Sequence, residues 1–138
     1  MDLLERTRRP GGATLRLTMI MNAVLAIGVL AQGLFAGAFL QSRPGWFTAH
    51  EALGNALIIP ALIASITALT LLVRGRAAAT LLVRQAVLLG LIVAVIAAGH
   101  AGGAWLMLHI PAAIAALGIA VREVTLYGRR RPSPWQQR

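Results

Sequence analysis

The chain has 138 residues, of which 58% are hydrophobic and only 12% charged, and its mean hydropathy is +0.75. A soluble domain averages about 45–50% apolar and about 25% charged residues, so a water-soluble globule is excluded and the length leaves room for one membrane domain. Cysteine is absent, which removes disulfides, thiolate metal sites, iron–sulfur clusters and covalently attached c-type haem.

A basic tail, residues 1–16, opens the chain and carries Arg6, Arg8, Arg9 and Arg16. A bilayer core of about 30 Å needs roughly 20 apolar residues in a helix, and residues 17–40 supply the first span, with Asn22 and Gln32 its strongly polar members. That span is longer than the apolar core of a signal peptide, and no small-x-small site precedes Gln41, so it is expected to be retained. Residues 47–73 form the second span. Residues 79–101 form the third, interrupted by Arg84 and Gln85, and residues 104–121 the fourth, whose one ionisable residue is His109. A second basic tail, residues 122–138, closes the sequence. The fold class expected is all-α: an integral membrane four-helix bundle running up, down, up, down, with residues 17–121 as its transmembrane domain.

All 13 basic residues are arginine, and the net charge of +9 brings nucleic-acid binding into question. Their placement answers it. Twelve of them fall in the two tails and the connection between spans two and three, including Arg74, Arg76 and Arg84, whereas Arg43 stands alone on the other side. Arginine is enriched in cytoplasmic loops, so the expectation is a multi-pass protein of the inner (plasma) membrane with both termini cytoplasmic. Arg84, a turn inside the third helix, is expected to snorkel to the inner headgroups. The run Arg129–Arg131 suits anionic lipid. The bilayer is thus the expected partner, and no nucleic acid is needed to explain the charge.

At an offset of 59 residues, Trp46-Phe-Thr-Ala-His50 lies over Trp105-Leu-Met-Leu-His109. Both are W-x-x-x-H at the outer start of an even-numbered helix. The repeat implies two helical hairpins in the same orientation, related by a pseudo-twofold axis along the membrane normal. Spans two and four then lie diagonally opposite, with His50 and His109 at similar depth. The rows His50, Gly54, Leu57, Ala61, Ala64, Ala68 and His109, Ala113, Ala116, Ala120 carry mostly small residues, as the interior faces of membrane helices do. Both histidines are therefore expected to point inward, above a tightly packed lower half.

A neutral imidazole is an axial ligand for haem iron, and two at equal depth suit one b-type haem between the hairpins. Gly33, Gly37 and Gly54, lacking Cβ atoms, are candidates for letting the macrocycle approach the backbone. Arg43 is a candidate propionate partner. Gln32, Gln41 and Asn55 are candidates to hydrogen-bond a ligand or brace an imidazole. Each residue also has a plainer role: interfacial histidines, aromatic-belt tryptophans, a helix-packing Gly33-x-x-x-Gly37 motif, a loop arginine. His100, in Gly99-His100-Ala101-Gly102-Gly103, fits a surface histidine, a proton relay or a third ligand. His50, Glu51, His100 and His109 together also suit a copper or zinc ion, although Glu51 lies about 100° round the helix from His50.

With Phe47-x-x-His50-Glu51-Ala-Leu53-Gly54 and Leu108-His109-Ile110-Pro111 in place, the chain resembles a family of small four-helix bacterial membrane proteins of unassigned function. There an H-x-x-L-G motif opens helix two and an L-H-x-P motif opens helix four. The pattern also resembles one half of haem A synthase and, more loosely, cytochromes of the b561 type. These resemblances imply haem at His50 and His109. In haem A synthase halves a glutamate precedes the helix-two histidine, whereas here Glu51 follows it. The function expected is a small membrane b-type haem-binding protein, an electron carrier or haem-binding subunit, with a membrane redox partner. The alternative is a cofactor-free accessory subunit of a larger complex. A transporter would require a homodimer to build a pathway. No serine nucleophile beside a base and no phosphate-binding loop is present, so no catalytic residue is assigned and no catalytic activity of its own is expected.

Overall fold

The computed structural model describes residues 12–41 and 45–128. Arg43 and the tail arginines Arg6, Arg8, Arg9, Arg129, Arg130, Arg131 and Arg138 lie outside the described residues. The elements are α1 (Gly12–Leu40), α2 (Trp46–Ala56), α3 (Ile58–Val73), α4 (Ala79–Ala101), a short 3₁₀ turn (Gly103–Trp105) and α5 (Leu106–Gly128). Four stretches are long and apolar enough to cross a membrane: Gly12–Leu40, Trp46–Val73, Ala79–Ala101 and Gly103–Leu126. The chain is an all-α four-helix bundle of the multi-pass membrane type. Its first and last helices reach further than hydropathy suggests. Hydropathy stops at Arg16 and Arg122, but backbone hydrogen bonding continues through them.

The second span is broken at Leu57, because Pro60 has no N–H to offer the carbonyl of Ala56. Leu57 N–H bonds to the carbonyls of Leu53 and Gly54 at 3.1 and 3.2 Å, and the next bond, Ala61 N–H to Leu57 O, is stretched to 3.4 Å. The turn from α4 to α5 passes through Gly102 and Gly103 at φ +62° and +55°, the left-handed region where a Cβ is penalised.

The hairpin α1/α2–α3 and the hairpin α4/α5 close into a ring through the seams α1–α5 and α3–α4. The second and fourth spans are therefore diagonal. Leu25, Leu57, Ala61, Leu88, Ile92, Ala116 and Ala120 form the central cluster, and Ala68, Leu71 and Leu81 a second one. From Leu57 downward the row Leu57, Ala61, Ala64, Ala68 is buried, as are Ala116 and Ala120 on the facing row. Large apolar side chains point outward instead, Met107 being 78% exposed and Leu34 74%. Such a surface suits lipid tails.

Towards the arginine-rich end lies a buried polar layer. Thr18 Oγ1 donates to Thr67 Oγ1 at 2.8 Å, and Asn22 Nδ2 donates to the Thr18 carbonyl at 2.8 Å and to Gln85 Oε1 at 3.2 Å. Gln85 Nε2 returns a bond to Asn22 Oδ1 at 3.5 Å, and Ser65 Oγ reaches the Gln85 carbonyl at 3.2 Å. In a bilayer each of these groups must find its partner within the protein. Arg84, expected to snorkel, instead pairs with the buried carboxylate of Glu123, Nε to Oε1 at 2.5 Å, and Arg122 approaches the same oxygen at 3.5 Å.

The duplicated hairpins are visible in this core. His50 and His109 meet each other at one level, as do Asn22 and Gln85 at another. Leu25 and Leu88, both fully buried, have the same spacing in the sequence as Asn22 and Gln85. Gly28 leaves room for Leu57, since a Cβ there would lie 2.4 Å from Leu57 Cδ2. The corresponding positions of the second hairpin hold Leu91 and Ala116. The large and small partners have changed places and the volume is kept.

Candidate bis-imidazole site

At the opposite end of the bundle from the arginines, α2 supplies His50 and α5 supplies His109, both half-buried. Their ring centroids are 6.1 Å apart with planes inclined at 45°. His50 Nδ1 lies 3.2 Å from the Gln32 carbonyl oxygen of α1, and His109 Nδ1 lies 2.9 Å from the Val95 carbonyl oxygen of α4. A carbonyl only accepts, so in each ring Nδ1 is the donor and the neutral imidazole keeps its lone pair on Nε2. Among the described residues neither Nε2 has a hydrogen-bond partner. Metal-ligating histidines are commonly held this way, the non-ligating N–H given to a carbonyl.

The separation can be compared with what a bridging metal requires. With metal–nitrogen bonds of about 2.0–2.1 Å, two imidazoles in trans place their centroids roughly 6.3 Å apart, and a tetrahedral centre draws them to roughly 5 Å. The 6.1 Å between centroids found here lies nearer the first of these values.

The surrounding residues fall into place unequally. Gly54 is needed by the protein itself. A Cβ there would stand 2.9 Å from Gln32 Nε2, and that amide donates to the His50 carbonyl at 2.8 Å. Gln32 thus clamps His50 twice, by its side chain to the backbone and by its carbonyl to the ring, while its own Oε1 is buried without a partner. Gly33 is exposed and Gly37 half-buried, and nothing lies within 4 Å of either Cβ position. Gln41 and Asn55 are exposed and bond neither histidine. Trp46 packs on Phe35 at 5.3 Å, and Phe47 on Phe39 at 5.5 Å, which fastens α2 to α1, while Trp105 is 59% exposed. Gly99 escaped sequence reasoning: a Cβ there would lie 3.2 Å from His109 Cε1, so its absence makes room for the ring. The Gly99-His100 step was visible, but nothing in the sequence says which helix face it occupies.

His100 joins neither imidazole. Its Nδ1 bonds to the Ile96 carbonyl at 2.9 Å, and its Nε2 stands 3.5 Å from Glu51 Oε1 at the rim. Among the described residues no three of the histidines and acids gather into a metal-binding group. The four residues considered for copper or zinc resolve into two pairs, His50 with His109 and Glu51 with His100.

Comparison with protein families, curated proteins and solved structures finds no match to this chain.

Proposed function

We propose that this chain is a small membrane b-type haem protein that holds haem b between His50 and His109 and exchanges electrons with a membrane redox partner. The observation that supports this reading is the imidazole pair, two rings 6.1 Å apart with both Nδ1 atoms committed to backbone carbonyls. Haem supplies reversible one-electron chemistry when bound. The chain's own residues hold and orient: Gln32 and Val95 fix the two rings through their carbonyls, Gln32 braces the backbone of His50, and Gly99 admits the ring of His109. The arginine distribution supports cytoplasmic termini, which puts the imidazole pair near the outer face of the inner membrane. The resemblance to one half of haem A synthase and to b561-type cytochromes belongs to the same proposal.

The experiment is an optical spectrum of purified protein in detergent micelles, before and after titration with haemin. The expected result is a Soret band, with an α-band on reduction, and loss of both in His50→Ala and in His109→Ala. Wild-type protein that stays colourless with haemin refutes the proposal. If it also brings down a larger complex, the accessory-subunit reading takes its place.

A further inference from the structure

The two seams that close the bundle differ at the histidine end. Below Leu57, α3 packs along α4, with Ser65 Oγ on the Gln85 carbonyl. Above Leu57 the second span packs along α1 without a comparable seam on α4. On α2 and the start of α3, Glu51, Asn55 and Ile58 lie one helical turn apart on the face that continues Ser65, and all three are exposed. The polar contact from α2 to α4 among the described residues is that of Glu51 Oε1 with His100 Nε2 at 3.5 Å, made at the tips of two half-exposed side chains and attractive when the imidazole carries its second proton, because its Nδ1 faces the Ile96 carbonyl. Behind it stands the imidazole pair. Glu51 follows His50 in the chain, and His100 follows Gly99, whose missing Cβ faces the His109 ring.

The opposite seam, between α1 and α5, has no such bridge. The positions related to His100 and Glu51 by the internal repeat are Gly37 and Ile110. Both α1 and α5 run past these positions, although α5 carries Pro111 one residue beyond Ile110, and the second span is interrupted. The interruption, at Leu57, lies between the part of the span that packs on α4 and the part that carries His50.

Resting on the haem reading above, we propose that the seam between α2 and α4 is the passage through which a flat, lipid-dissolved macrocycle reaches the imidazole pair. The Glu51–His100 contact is the latch across the opening, while α2 stays fastened to α1 by Gln32 and by the Phe35–Trp46 and Phe39–Phe47 pairs. A latch differs from a binding contact in a measurable way. It raises the barrier for arrival and departure alike, so releasing it accelerates both and leaves the equilibrium unchanged, whereas losing a binding contact raises the dissociation rate and weakens affinity.

The test uses the full chain in detergent micelles, with haemin as the probe. Loading is followed by the Soret band and release by transfer to excess apoglobin. In Glu51→Ala with His100→Ala, loading and release are both expected to accelerate about tenfold, with the dissociation constant held within twofold. Unchanged rates, or a weaker affinity at an unchanged loading rate, would overturn the proposal. A second arm starts from the folded protein. The chain has no cysteine, so Glu51→Cys with His100→Cys offers the sole pair of thiols, and a short bis-methanethiosulfonate reagent bridges them reversibly. Loading is expected to stop in the bridged protein and return on reduction, and loading that persists overturns the passage. Wild type that takes up no haemin removes the site and the passage together. Uptake that depends on His50 and His109 with latch-independent rates removes the passage alone.

Discussion

The buried amide pair between α1 and α4 gives a quantitative handle on what holds the bundle together. Asn22 is fully buried and Gln85 nearly so, and their exchange of hydrogen bonds is uneven, with 3.2 Å in one direction and 3.5 Å in the other. Replacing Gln85 by Leu leaves Asn22 Nδ2 still bonded to the Thr18 carbonyl at 2.8 Å, so only Asn22 Oδ1 is orphaned. Replacing Asn22 by Leu strands both ends of the Gln85 amide. Side-chain hydrogen bonds between membrane helices average about 0.6 kcal/mol and reach about 1.7, and an orphaned buried polar group costs about 1–3 kcal/mol. The expected losses are about 1 kcal/mol for Gln85→Leu and about 2 kcal/mol for Asn22→Leu. In the double variant two leucines face each other with nothing unsatisfied, so about 1 kcal/mol is recovered relative to the sum. Reversible unfolding in mixed micelles, read by circular dichroism across the four proteins, measures the coupling. Additive losses, or a larger loss for Gln85→Leu than for Asn22→Leu, would show that the pair does not act as drawn.

The ion pair and the glycine contact make independent expectations. Arg84→Leu leaves the Glu123 carboxylate, 3% exposed, with only Arg122 at 3.5 Å, whereas Glu123→Gln leaves a guanidinium that is 29% exposed and free to turn to the surface. Arg84→Leu should therefore be the more destabilising by at least about 1 kcal/mol in the same unfolding assay, and equal losses would refute that ordering. Gly28→Ala sets a Cβ 2.4 Å from Leu57 Cδ2, an overpacking cost of about 1–3 kcal/mol. Gly28→Leu combined with Leu57→Ala recreates the Leu91 and Ala116 arrangement of the other hairpin, and thermal unfolding should find it more stable than Gly28→Leu alone.

What the sequence revealed, and what it hid, follows from how the repeat is built. The W-x-x-x-H pair at an offset of 59 was legible because the second and fourth spans keep that spacing. The first and third spans keep another. Asn22 and Gln85 are 63 residues apart, as are Leu25 with Leu88 and Gln32 with Val95. The difference of four is about one helical turn, and it appears again in the ring bonds, which span 18 residues from Gln32 to His50 but 14 from Val95 to His109. A search at one offset sees half of the duplication, so Asn22 and Gln85 looked like isolated polar residues. Arg84 and Glu123 were hidden for a different reason. Each lies at the edge of an apolar stretch, where hydropathy favours the headgroups and cannot see a partner on the next helix. The break at Leu57 was readable from Pro60, but the surrounding apolar run concealed it. The inward row of small residues was legible, because periodicity alone specifies a helix face.

These details separate what holds the bundle from what it presents. The polar layer of Thr18, Asn22, Thr67 and Gln85 and the imidazole pair lie on the same pseudo-twofold axis but at different depths. Between them stand Leu25, Leu57, Leu88 and Ile92, none more than 5% exposed. That apolar layer gives polar groups above and below no shared hydrogen bond, so disturbing one leaves the hydrogen bonding of the other in place. The amide pair is satisfied within the protein, and its two members consume each other's bonding capacity. Among the described residues the two Nε2 atoms of the imidazole pair and the buried Gln32 Oε1 have no hydrogen-bond partner. A polar pair that completes itself serves packing within a bilayer, whereas the half-buried imidazole pair at the end of the bundle keeps acceptor capacity that the proposed haem would use. The two hairpins place one pair of each kind in the interior of the bundle, and under the haem proposal the ligand belongs with the second.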